Sequence, residues 1–183
     1  MPNWCTNSLT LTGKKEWIDA LTKKMETDDE DIFMYLRPCM EDAEWYSEKW
    51  YSWNCDNWGT KWDASEVMIG SSDGECIELH FESAWSPPIT LYEYLVENGW
   101  EVEAYYYEEA MQFCGQFVDG EDSSYEVPSK KEFKEGVEMV MPLDLIDFIT
   151  PLYDSYDTDE EEEEDDLPKP CPNPSLNPVL IPV

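Results

Sequence analysis

The chain has 183 residues, which is enough to bury one hydrophobic core and leaves little for a second. Its 42% hydrophobic and 14% aromatic content excludes wholesale disorder, and its 43 acidic residues against 11 lysines and arginines give a net charge of −32. A surface this negative repels nucleic acid and anionic membranes, so we expect a basic protein as the partner instead. The alternative is that the charge serves solubility or adaptation to a salty environment.

Targeting signals and metal-ligand patterns point to a cytoplasmic protein without a cofactor or metal. Met1–Trp4 lead directly into a strand-like run in place of a signal peptide, and no apolar stretch approaches the ~20 residues that span a bilayer. Six cysteines are scattered without a C-x-x-C pair, and the single histidine, His80, does not complete a zinc-ligand pattern. We therefore expect reduced and mostly buried thiols.

The first part of the chain predicts a strand, a helix and an aromatic insert. Residues 5–13 alternate between polar and apolar side chains, and residues 14–25 carry apolar side chains at helical spacing. Ile32–Met34 are apolar and predict a short strand or turn. The tryptophans and tyrosines that follow predict a partly helical insert, which ends in a tight glycine-containing turn at Trp58–Trp62.

The next part predicts a hairpin, a second helix and another strand. Residues 67–69 and 76–83 read as strands joined by a turn at Ser71–Gly74. Ser86, as N-cap, and a following proline predict the start of a helix that Gly99 ends. Alternation over residues 100–107 predicts the next strand.

The order strand, helix, strand, strand, helix, strand predicts an α+β fold, a ferredoxin-like split β-α-β sandwich with antiparallel strands and both helices on one face. Later segments predict a C-terminal appendage, with strands near residues 112–118 and 137–141, a helix start at Ser129–Glu132 and a last short helix over 143–149. We therefore expect one domain over residues 1–152 and a disordered acidic and proline-rich tail over residues 153–183.

Several motifs occur together in a fixed order and resemble a known family. They are Pro2–Gly13, Asn57–Ala64, Ala84–Pro88, Tyr107–Glu109 and Phe113–Gly115. In this combination the chain resembles the YubB-type ferredoxin-like domain of phage and plasmid proteins over roughly residues 2–150. The resemblance implies a ferredoxin-like fold and a mobile-element origin, hence the host cytoplasm. That family has no established activity, so it implies no catalytic residue, and the acidic tail departs from its pattern.

The aromatic turn supplies the first candidate site, a ligand or partner pocket. Aromatic walls with a few fixed polar groups are typical of small-ligand and peptide pockets. The alternative is structural: the indoles cover the end of the sheet, and Lys61 pairs with Asp63 or another acid. The candidate residues are Asn57, Trp58, Gly59, Lys61, Trp62, Asp63, Trp85 and Ser86.

One face of the predicted sheet supplies the second candidate site. Ferredoxin-like RNA binders offer aromatic and basic residues to bases on this face, whereas acids alternate with tyrosines here. Such a face has the wrong sign for RNA and instead imitates the spaced charges of a nucleic-acid backbone; the alternative is a solvated or covered face. Its residues are Glu78, His80, Glu82, Glu101, Glu103, Tyr105 and Tyr107.

The sequence thus favours a non-enzymatic, phage-type interaction protein whose acidic surface engages a basic host or phage protein, with nucleic-acid mimicry as one means. It contains no nucleophile elbow, phosphate-binding loop or zinc-protease motif. The alternative function is a small-ligand-binding or enzymatic domain that uses the aromatic pocket. The identity of the partner and the oligomeric state stay open.

Overall fold

A six-stranded antiparallel sheet dominates the computed structural model, which describes residues 3–26, 31–39, 49–127 and 141–155. The strand order is β2-β3-β1-β4-β5-β6, and every neighbouring pair is antiparallel. The strands are β1 (Trp4–Thr12), β2 (Ser65–Ser72), β3 (Cys76–Ala84), β4 (Glu101–Glu108), β5 (Phe113–Val118) and β6 (Glu121–Glu126).

Helices pack on both faces of this sheet. None of those in the described ranges is long and apolar enough to cross a bilayer. The helices are α1 (Lys15–Met25), α2 (Ile32–Leu36), α3 (Trp50–Asn57), α4 (Ile89–Glu97) and α5 (Leu143–Ser155).

The main core lies between the sheet and the helices α1 and α4. Leu9 of β1 stands opposite Leu79 of β3 and Ala104 of β4, and all three are buried. Ile18 of α1 and Leu91 of α4 are fully buried against the same face. Burying a side chain of this size stabilises a fold by about 1.5–3 kcal/mol, so the alternation along the strands fixes which face the helices cover.

A smaller second core forms on the opposite face, under α5. Leu145 and Ile149 of this helix are fully buried against Tyr107 of β4 and Cys114 of β5. The helix covers this face at the β4–β5 side of the sheet. The β3 and β1 strands on the same face therefore keep polar side chains that α5 does not cover.

The predicted α+β class with an antiparallel sheet is confirmed, two local predictions are wrong, and one strand was not predicted. Ile32–Met34 belong to a helix, because a distant carboxylate accepts its first N–H groups. Ser86 does not cap α4, which begins at Ile89; its hydroxyl instead donates to the carbonyl oxygen of Gly59 (3.1 Å). The strand β6 is not predicted, since its sequence carries no apolar alternation.

Other predictions fall partly or wholly outside the described residues. These are the helix start at Ser129–Glu132, residues 137–140 of the predicted strand and residues 156–183 of the predicted tail. The last helix is longer than predicted, since α5 continues to Ser155.

Gly115 in β5 gives a direct test of the packing between the last three strands. A Cβ atom there would lie 2.6 Å from the backbone oxygen of Ser123 and would overlap the Tyr106 hydroxyl. That hydroxyl donates to Asp122 (2.7 Å) and is fixed. We expect Gly115→Ala to lower the free energy of unfolding by about 1–3 kcal/mol, measured by denaturant titration.

Gly70→Ala in β2 is the matched control. The three atoms nearest to its Cβ would be the ends of the His80 and Glu78 side chains, which can move aside. We expect this variant to stay within about 0.5 kcal/mol of the wild type. Equal losses in the two variants would contradict the tight contact at Gly115.

Candidate functional site

Trp58, predicted to roof a pocket, belongs to the core. Its side chain is fully buried, and its indole N–H donates to the backbone oxygen of Arg37 (3.1 Å). Its ring meets Phe33 and Trp53 edge-on, at centroid distances of 5.8 and 5.4 Å. Such packing leaves this indole no surface to offer a ligand, so the residue anchors the turn that follows α3.

Asp63 is used to start the helix α2. Its Oδ1 accepts the backbone N–H groups of Phe33 (2.7 Å) and Ala64 (2.8 Å), and its Oδ2 accepts that of Met34 (2.9 Å). Burial raises the pKa of this carboxyl from its ordinary value of 3.8 to about 6, and the three donors offset burial only in part. The expected pairing of Lys61 with Asp63 is therefore replaced by backbone donors.

Three further predicted pocket residues hold the turn against its neighbours. The Asn57 side-chain amide donates to the backbone oxygen of Trp53 (2.9 Å), while the backbone oxygen of Asn57 accepts from the Arg37 guanidinium (2.6 Å). Gly59 adopts φ +86°, and a Cβ there would lie 3.2 Å from the Thr90 nitrogen, so a side chain would strain the contact with α4. Its oxygen accepts the Ser86 hydroxyl.

Lys61, Trp62 and Trp85 lie together at the surface. The Lys61 ammonium is 4.5 Å from the Trp62 ring centroid and 5.2 Å from that of Trp85, with Tyr51 at 5.9 Å. Ammonium groups over indole faces are attracted by the ring quadrupole. Trp4 continues the cluster, 6.2 Å from Trp62. We call the partly exposed rings of Trp4, Tyr51, Trp62 and Trp85 the aromatic patch.

The backbone at Trp85 is unusual for a residue with a side chain. Its φ is +72°, a region that costs non-glycine residues about 1–3 kcal/mol unless the surroundings hold them there. Its N–H donates to the oxygen of Asn3 (2.9 Å), which ties it to the start of β1. In this conformation Trp85 is 44% exposed.

The predicted sheet-face residues do share one face. Directly paired residues of antiparallel strands point to the same side of a sheet. The uncharged side chains of β1 form the middle of three-residue rows that run from β3 to β4. The rows are Glu78–Thr10–Glu103, His80–Ser8–Tyr105 and Glu82–Thr6–Tyr107, and Glu101 stands beside Thr12.

The helix α5 covers the tyrosine corner of this face. Tyr105 lies 6.1 Å from the Phe148 ring, and Tyr107 is buried. Glu103 accepts a hydrogen bond from the Tyr105 hydroxyl (2.8 Å), and burial together with this bond raises the pKa of the tyrosine. We call the carboxylates that remain on the face, Glu78, Glu82, Glu101 and Glu103, the acidic face.

A groove that sequence reasoning missed lies where the acidic face meets the aromatic patch. Its volume is about 410 Å³, and none of the eight predicted pocket residues lines it. Glu66 reaches it from an irregularity in β2, where the register with β3 shifts and φ is +52°. The sequence marked some of its residues separately: Glu82 and Tyr107 belong to the predicted sheet face, and Tyr107–Glu109 to the family motifs. No sequence pattern predicted that they line one groove. Lining side chains include Trp4, Thr6, Glu66, Glu82, Tyr107 and Glu109.

The described ranges contain no arranged site for metal binding or thiol chemistry. No group of three or more histidine, cysteine or acidic side chains there is placed to hold a metal ion. Of the five cysteines of these ranges, only Cys5 and Cys114 are buried, fewer than predicted. Burial raises the pKa of Cys5, and it raises that of Cys114 to about 11, so neither is a thiolate at neutral pH.

The buried Asp63 carboxyl predicts a pH dependence of stability. Its pKa is higher in the folded chain than in the unfolded one, so its contribution is complete below about pH 4 and is lost as the pH rises through about 6. We expect the free energy of unfolding of the wild type, minus that of Asp63→Asn, to fall by up to about 3 kcal/mol between about pH 4 and about pH 7.

Asp73 is a control of opposite sign. Its exposed carboxylate accepts the N–H groups of Cys76 and Glu75, which lower its pKa. The free energy of unfolding of the wild type, minus that of Asp73→Asn, should therefore grow as the pH rises from strongly acidic values. Denaturant titrations across the pH range measure both differences. A flat curve for Asp63 would mean that its three donors balance burial, and a rising curve that they outweigh it.

Comparison with known proteins gives one distant likeness. The crystal structure of protein api92 from Yersinia pseudotuberculosis, with the family description DUF1281, is similar at a TM-score of 0.47 and 9% identity, covering 70% of this chain and 99% of that chain. No family model and no curated protein matches the sequence. A likeness this distant assigns no function, and membership of the YubB-type family stays a prediction.

Proposed function

We propose that the protein is a non-enzymatic interaction protein whose acidic face engages a basic partner protein. The observation that carries the proposal is the separation of charge in the fold. The six strands contain no lysine or arginine, and the basic residues of the described ranges lie in helices and connections. The strands contain nine acidic residues: Glu66, Glu78, Glu82, Glu101, Glu103, Glu108, Glu121, Asp122 and Glu126.

The spacing of the acidic face suits a partner with several basic side chains. Glu78 and Glu103 flank Thr10, so their backbones are about 10 Å apart, and carboxylates two residues apart on one strand are separated by about 7 Å. Nucleic-acid-binding proteins bind phosphate backbones, which present regular rows of negative charge. A basic groove that handles nucleic acid is therefore the partner surface that we propose, reached fastest at low salt.

Contacts within the face do not cancel its charge. Glu78 lies 3.5 Å from the imidazole of His80 and accepts a hydrogen bond from Ser71 (3.2 Å). Glu103 accepts from Tyr105. None of these contacts brings a lysine or arginine to the carboxylates, so a partner's cations gain the full attraction of the face.

We also propose that β1–β4 with α1 and α4 form a ferredoxin-like split β-α-β unit related to YubB-type domains, which would act in a host cytoplasm. The order β2-β3-β1-β4 supports the unit, because each helix then connects two strands that have another strand between them. Both helices also bury their apolar side chains in the same core. The strands β5 and β6 and the helix α5 extend this unit.

The alternative function, a ligand-binding or enzymatic pocket at the aromatic turn, has less support. Trp58 is enclosed by the core, and Asp63 is occupied by three backbone donors. Only Lys61, Trp62 and Trp85 of the proposed pocket face outward together.

A charge-matched pair of variants tests the acidic face. The face variant Glu78→Gln/Glu101→Gln/Glu103→Gln removes three carboxylates from it. The control Glu16→Gln/Glu93→Gln/Glu97→Gln removes three exposed carboxylates from α1 and α4, so the two variants have the same net charge. Each full-length protein is immobilised and exposed to a bacterial lysate, and bound proteins are eluted with increasing salt.

We expect the wild type and the control to retain basic proteins that elute with salt and that duplex DNA displaces. The face variant should lose them, because counterion release at the face supplies their affinity. Equal retention or equal loss by the two variants would show that net charge alone, and not this face, governs capture.

A further inference from the structure

The groove combines an aromatic wall with carboxylates at one end of the sheet. Trp4 forms part of its wall, and this ring is 40% exposed although it packs against Trp62. Glu82 lines the groove from β3 and Glu66 from β2. An indole face beside a carboxylate provides the two features that a guanidinium group uses, a flat surface for stacking and paired acceptors.

One carboxylate in the groove lacks part of its hydrogen bonding. Glu82 Oε1 accepts from the Thr6 hydroxyl (2.9 Å), but Oε2 is buried without a hydrogen-bond partner among the described residues. A buried acceptor without a donor is unfavourable, so a partner's donor that reaches this oxygen through the groove would gain a hydrogen bond in addition to the charge attraction. Burial and the nearby charge of Glu66 both raise the pKa of Glu82, as is expected for a carboxyl without a cation.

The aromatic patch already holds one cation. The ammonium of Lys61 lies over Trp62 and Trp85, at 4.5 and 5.2 Å from their ring centroids. Trp4, 6.2 Å from Trp62, extends the same kind of surface to the groove. The chain thus shows within itself the contact that a partner's cation would make.

We propose that the groove receives an arginine side chain of the basic partner, stacked on Trp4 and hydrogen-bonded to Glu82. This inference rests on the proposed function and names the contact that gives it specificity. Arginine fits better than lysine, because its planar fork pairs with both oxygens of a carboxylate and is less strongly hydrated. The volume of about 410 Å³ is ample for one arginine side chain with its adjoining backbone.

The test uses short acetylated peptides of alternating glycine and arginine, with lysine and citrulline counterparts, titrated calorimetrically into the full-length chain at low ionic strength. We expect the arginine peptide to bind about fivefold more tightly than the lysine peptide, and the uncharged citrulline peptide not to bind. Trp4→Leu and Glu82→Gln should each weaken the arginine peptide about tenfold.

Two further variants test the groove even if Trp4→Leu or Glu82→Gln disturbs the folding of β1 or β3. Glu66→Gln, on the exposed rim, should weaken the arginine peptide about threefold while the thermal melting midpoint is unchanged. Glu93→Gln removes the same charge from the exposed surface of α4, outside the groove and the acidic face, and it should weaken the peptide less than about twofold.

Equal affinity for the arginine and lysine peptides would overturn the groove as an arginine site. The same conclusion would follow if Trp4→Leu, Glu82→Gln and Glu66→Gln weakened the arginine peptide no more than Glu93→Gln does. The acidic face would still stand if its triple variant loses lysate partners. Conversely, a face variant that keeps its partners, together with groove variants that lose the arginine peptide, would overturn the proposed function and leave the groove in place.

Discussion

The pleat of the three central strands is the constraint on which the rest of the molecule depends. In β1, β3 and β4, successive side chains point to opposite faces, so Leu9, Leu79 and Ala104 meet the helices while the carboxylates stand on the other side. A register shift of one residue would place glutamates in the core and leucines in water. The hydrophobic effect on one face therefore fixes the charge pattern on the other.

A second constraint positions the aromatic residues. The carboxylate of Asp63 starts α2, which in turn places Phe33 against Trp58 in the core. With Trp58 enclosed, the turn that follows must project Lys61 and Trp62 outward, where they meet Trp85 and Trp4. Burial at one end of a short segment thus creates the exposed aromatic patch at the other.

Much of the sheet could be predicted because alternation is a local signal: Ile77, Leu79 and Phe81 indicate β3 without knowledge of its neighbours. The strand β6, with the sequence Glu121–Glu126, lacks that signal and is recognisable only from its pairing with β5. The helical state of Ile32–Met34 depends on a carboxylate about 30 residues further along the chain. No local pattern contains that information.

The candidate sites also divide into features that local sequence patterns predict and features that depend on distant residues. The seven residues of the predicted sheet face share a side because strand period and register suffice to place them. The tryptophans of the turn could not be sorted in this way: Trp58 and Trp62 are chemically identical and differ only in what surrounds them. The groove was beyond prediction, since it arises where an irregularity in β2 brings Glu66 beside Glu82.

The acidic residues of β6 have a consequence for self-association. This strand lies at the outer edge of the described sheet, where unpaired backbone groups would otherwise serve as a template for another chain. Glu121, Asp122 and Glu126 place like charges along that margin, so two copies that approach edge to edge repel each other. Negative charge at this edge thereby opposes the joining of two sheets into aggregates.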